Sequence, residues 1–72
     1  MNNEEIIREV ADILEVDESE INEEKKLDEY DTWDSIAVLA VISLINEKKG
    51  VFLHASEINS LKTVKDLINL IG

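Results

Sequence analysis

The 72-residue chain contains no cysteine, no proline, two glycines and a single histidine, His54. Without cysteine there is neither a disulfide framework nor a thiolate metal site. One histidine effectively excludes a histidine-based zinc site or a catalytic triad within the chain. There is no glycine-rich phosphate loop. No apolar run approaches the roughly 20 residues of a membrane span. The start, Met1-Asn2-Asn3-Glu4-Glu5, lacks the basic opening of a signal peptide, so a cytoplasmic protein is the expectation. Repeats, low-complexity tracts and linkers are also absent, and residues 1–72 read as one small domain. A chain this short buries only about 60% of its unfolded surface. That leaves little room for an internal catalytic cavity, and an enzyme is not expected.

Basic residues are scarce, and unevenly so. Residues 1–34 hold 14 acids and 3 basic residues, a net of −11; residues 35–72 hold 3 acids and 4 basic residues, a net of +1. Together they give the chain its charge of −10. Such a field repels nucleic acid and anionic membranes and attracts basic protein surfaces. Asp17, Asp28, Asp31 and Asp34 invite a calcium reading. The EF-hand spacing, with its central glycine and final glutamate, is absent, so no specific metal site is expected.

Periodicity predicts four helices. Asn2 or Asn3 caps the first, with Glu4 and Glu5 in its first turn. Ile6, Val10, Ile13 and Leu14 form its stripe, broadened by Ile7 and Ala11, and it should run to about Glu15. Residues 16–33 lack a period and read as a long loop. It is pinned by Val16, Ile21, Leu27, Tyr30 and Trp33. Loops of more than about 12–15 residues are often functional. Asp34 or Ser35 opens the second helix, which should reach Lys49 and stop at Gly50. It is apolar nearly all round from Ile36 to Ile45, so part of it should be an exposed contact face, placed around Ala37, Ala40 and Val41. Ser56 is the expected cap of a brief third helix. Thr63 caps a fourth, with Asp66 completing an approximate capping box. Val38, Leu39, Ile42, Ile45, Leu61, Val64 and Leu67 are core candidates. Tyr30 and Trp33 read as loop anchors, and Trp33, beside the serine, also joins the partner-contact set.

The point of interest is Trp33-Asp34-Ser35-Ile36. A helix N-terminus is where a phosphate is best tolerated, through free N–H groups and the positive end of the dipole. Ser35 is therefore a serine able to carry a phosphodiester at little local cost.

The chain as a whole resembles the acyl carrier protein family, which includes the peptidyl and D-alanyl carrier domains. The likeness rests on Ile21, Leu27 and Trp33-Asp34-Ser35-Ile36, on Gly50-Val51-Phe52-Leu53, on Ser56-Glu57-Ile58, and on Thr63-Val64-Lys65-Asp66-Leu67. It implies an all-α, four-helix carrier bundle with a long first loop and a short third helix. It implies 4′-phosphopantetheine, moved from coenzyme A onto Ser35 by a phosphopantetheinyl transferase. Asp34 would help present the serine and meet a transferase's basic groups or magnesium, and Ile36 would pack beside the arm and into the transferase contact. The arm's thiol would hold an acyl or aminoacyl cargo as a thioester and present it to partner enzymes. Those partners would be an adenylate-forming ligase and acyltransferases or synthases. The alternative is an unmodified carrier-fold adaptor that acts only through protein contacts. Fatty-acid carriers usually hold acids after the serine motif and along the second helix. Here those places are Ala37, Ala40 and Val41, the first acid is Glu47, and Lys48 and Lys49 are basic. The likeness is therefore to a specialised carrier served by a dedicated ligase, in polysaccharide modification or secondary metabolism.

Overall fold

Asn2 starts the first helix in the way its position predicts: its side-chain oxygen accepts from the Glu5 N–H at 2.9 Å. In the computed structural model, which describes residues 2–72, helix α1 spans Asn3–Leu14. Met1, part of the amino-terminal stretch and of the 1–72 unit read above, lies outside the described residues. Ile6, Val10, Ala11 and Leu14 are buried along one face of α1, while Ile7 and Ile13 are half-buried at its edges. The helix closes on Glu15, at φ +56°. The Glu15 N–H donates to the Asp12 carbonyl at 3.2 Å and the Val16 N–H to the Ala11 carbonyl at 3.0 Å. This is a Schellman closure with glutamate where glycine is usual.

The long loop is real, and it is ordered by pins and stitches. Two 3₁₀ turns, Glu18–Glu20 and Leu27–Glu29, interrupt it. Leu27 and Tyr30 are buried, and Val16, Ile21 and Trp33 are half-buried against the same core. The Tyr30 hydroxyl donates to the Glu20 carbonyl at 3.2 Å, and the Lys25 ammonium lies 4.4 Å from the Tyr30 ring centre. Backbone bonds then tie the loop to the segment leading into the last helix. Leu27 N–H donates to the Lys62 carbonyl, Val64 N–H to that of Lys25 and Lys65 N–H to that of Glu23, at 2.9–3.0 Å. At the far end of the loop the Thr32 hydroxyl donates to the Leu14 carbonyl, one of the acceptors that α1 leaves free.

Helix α2 spans Ser35–Lys49. Gly50, at φ +68°, closes it, and the Lys49 ammonium donates to the carbonyls of Leu70 and Gly72 at 3.0 and 3.1 Å. Helix α3 covers Ala55–Asn59 and α4 covers Val64–Ile71. Ser56 does not cap α3. The Glu57 carboxylate reaches back three residues to the His54 N–H at 2.8 Å, which makes His54 the cap position and puts Ser56 inside the helix. Thr63 does cap α4: its hydroxyl accepts from the Asp66 N–H, and the Asp66 carboxylate accepts from the N–H groups of Lys62 and Thr63. These bonds hold the Asp66 carboxyl below its ordinary value, and the Ser19 N–H does the same for Asp17.

Four α-helices and no strands are present among the described residues, an all-α bundle with α2 packed on α1 and α3, and α4 on α1. Its core is Ile6, Val10, Leu14, Leu27 and Tyr30 with the inner residues of α2, Ile58, Val64, Leu67, Ile68 and Ile71. No described helix is long and apolar enough to cross a membrane.

Candidate functional site

At 100° per residue the six buried residues of α2 (Ala37, Val38, Val41, Ile42, Leu44 and Ile45) fill an arc of about 160°. The other arc carries Ser35, Ile36, Leu39 and Ser43, all exposed, with half-buried Ala40 at its edge. This corrects the contact face expected from sequence. Ala37 and Val41 are 4% and 0% exposed, because α1 and α3 lie against their side of the helix. Leu39, placed in the core by its type, is 63% exposed, and Ile36 is 74% exposed. Leu61 is only half-buried. Phe52, in the α2–α3 connection, is also outside the core.

Asp34, Ser35 and Ile36 sit together at the head of this exposed arc. Asp34 is the N-cap: its Oδ1 accepts from the N–H groups of Ile36 and Ala37, each at 3.1 Å. That fixes the first turn and turns Ser35 outward. Among the described residues nothing hydrogen-bonds the Ser35 hydroxyl, which leaves it accessible at the positive end of a 15-residue helix. Beside it runs a groove of about 350 Å³ between α2 and α3, walled by Trp33, Val38, Leu39, Ala55 and Asn59. Trp33 enters this wall while its other side packs on the core. Leu39 was expected in the core, and Ala55 and Asn59 were not singled out from sequence. The signal for Leu39 was its position one turn after Ser35; nothing local marks Ala55 or Asn59, which α3 brings in from 20 or more residues away.

The positive helix end suits a phosphodiester, and the adjoining groove suits a slender organic arm. A sequence model of the phosphopantetheine attachment site matches residues 4–71, almost the whole chain. The chain belongs to this phosphopantetheine-binding carrier family. Its cofactor is accordingly covalently attached 4′-phosphopantetheine, and carrier domains of this family are generally not catalysts. No curated protein and no solved structure matches the carrier at a significant level. The carrier fold expected from the resemblance, all-α with a long first loop and a short third helix, is the fold observed.

Proposed function

We propose that Ser35 is the attachment residue and that residues 1–72 work as one cytoplasmic carrier of acyl or aminoacyl groups. The observation that carries this reading is the Ser35 hydroxyl, exposed and unbonded at the head of α2, in a chain whose family is defined by phosphopantetheine attachment. Asp34 holds the turn that presents the hydroxyl. When attached, the arm supplies a thiol that holds the cargo as a thioester. The chain's own residues present it; they do no chemistry on it. Tethering raises the cargo's effective concentration at each partner's active site.

The partners are a phosphopantetheinyl transferase, an adenylate-forming ligase that loads the thiol, and the acyltransferase or synthase that unloads it. Ile36 and Leu39 favour an apolar contact with them, with Trp33 and Ala40 at its borders. Helix α2 supplies no acid before Glu47, so steering by charges on this helix is weak. That supports a specialised carrier over one that serves general fatty-acid synthesis.

Intact-mass spectrometry after incubation with coenzyme A and a broad-specificity transferase tests the assignment. The wild type should gain one phosphopantetheine and Ser35→Ala none. No gain with several transferases, on folded protein, would instead favour the unmodified adaptor. The modified protein can then be offered to purified fatty-acid synthase enzymes. Elongation as ready as on a general carrier would overturn the specialised role.

A further inference from the structure

Thr32 stands near the end of the long loop, just ahead of Asp34 and Ser35. Its neighbours are held by other means. Tyr30 and Trp33 pack on the core, and the Trp33 N–H donates to the Tyr30 carbonyl at 3.0 Å. Asp34 accepts from Ile36 and Ala37, both in α2. Among the described residues, Thr32 alone of residues 31–35 makes a hydrogen bond that leaves the loop and α2. Its hydroxyl donates to the Leu14 carbonyl, 18 positions back along the chain. That acceptor is well fixed. Leu14 is fully buried, and α1 ends there because Glu15 turns into the left-handed conformation, so no later N–H takes the carbonyl up. Thr32 is itself half-buried, which shields the bond from competing water.

We propose that Thr32 is a positioning residue for the modification of Ser35: its hydroxyl latches the entry of α2 onto the end of α1. This rests on Ser35 being the attachment residue. Asp34 orders the first turn only relative to α2, because the N–H groups it accepts from lie in that helix. The segment that leads into it is the long loop of residues 16–33, and a long segment left free at its end keeps conformational freedom. The latch removes that freedom at the point nearest the serine. It places the hydroxyl in one register with both helices before an enzyme arrives. Transfer of a group to a hydroxyl is sensitive to small errors in its placement. Thr32 acts on that placement through the backbone and through Asp34, without touching the group transferred.

Two measurements test the latch. Thr32→Val keeps the shape of the side chain and removes the hydroxyl, and Thr32→Ser keeps the hydroxyl. Thr63→Val is the control, since it removes a hydroxyl bond at the head of a different helix. In steady-state modification by a broad-specificity transferase, Thr32→Val should lower kcat about two- to tenfold, with KM for the carrier within about twofold. Thr32→Ser should stay near the wild type. Thr63→Val should lower the Tm and leave kcat in place. Equal losses of kcat in the two valine variants would reduce the latch to general stability, and an unchanged kcat in Thr32→Val would remove it; either overturns the proposal. The second measurement needs no modification. Amide hydrogen exchange is followed in 15N-labelled protein at Ile36 and Ala37, the two donors to Asp34. In Thr32→Val both should exchange about two- to tenfold faster, with residues 41–45 of α2 unchanged, and Thr32→Ser should restore them. Faster exchange along the whole of α2, or none at its head, would overturn the latch. A wild type that takes no phosphopantetheine while these amides respond as expected would count against Ser35 as the attachment residue, not against the latch.

Discussion

Glu15 shows how much one residue decides. Its φ of +56° places a β-carbon where the left-handed backbone crowds it, at a position where glycine is the ordinary closure. Relief of that strain, less the extra freedom glycine gains in the unfolded chain, should make Glu15→Gly more stable by about 0.5–1 kcal/mol. Urea denaturation reads this directly. An unchanged or lowered midpoint would mean that the glutamate side chain stabilises the closure in some other way. Neighbouring single residues were legible in the sequence because their work is local. Asn2, Asp34, Gly50 and the Thr63–Asp66 pair all act within one turn of themselves. His54 was missed because its role is visible only by counting back from Glu57, and a serine two residues on was the more conventional cap.

At the scale of elements, α2 divides what the sequence could say from what it could not. Its start and end were readable from their caps. Its phase was not. Apolar residues occur on every side, so nothing in the helix itself distinguishes the face turned inward. The choice is made by α1 and α3, and it leaves Leu39 outside while burying Val41. Two leucines on this helix make the contrast measurable. Leu44→Ala, at a buried position, should cost about 2–5 kcal/mol. Leu39→Ala should stay within about 0.5 kcal/mol while weakening contacts with partner enzymes. Equal costs in denaturant unfolding would contradict the assigned phase. The loop shows the same division. Its pins, Leu27 and Tyr30, stood out as isolated apolar residues. Its backbone stitches to Lys62, Val64 and Lys65 join segments more than 30 residues apart and left no local mark.

For the molecule as a whole, stability against acid depends on carboxylates that serve the backbone. Asp66 and Asp17 accept N–H bonds that hold each carboxyl below its ordinary value. A folded-state value below the unfolded one, near 3.9, adds stability above that pH; the gain is lost as pH falls through the folded value. Asp66→Asn should therefore lower the Tm at neutral pH and flatten its fall below about pH 4. A fall as steep as in the wild type would assign the acid sensitivity to other groups. The exposed Arg8–Glu18 pair, 4.0 Å apart, contributes little to this balance. Phe52 and Tyr30 are the only other aromatic residues, so all indole emission from the molecule arises at Trp33, half-buried in the groove wall beside Ser35. Attachment at the serine and unfolding of the bundle would each change the solvent around that one fluorophore. Trp33 is thus a built-in optical reporter beside Ser35, and modification of that serine should change its emission without a label.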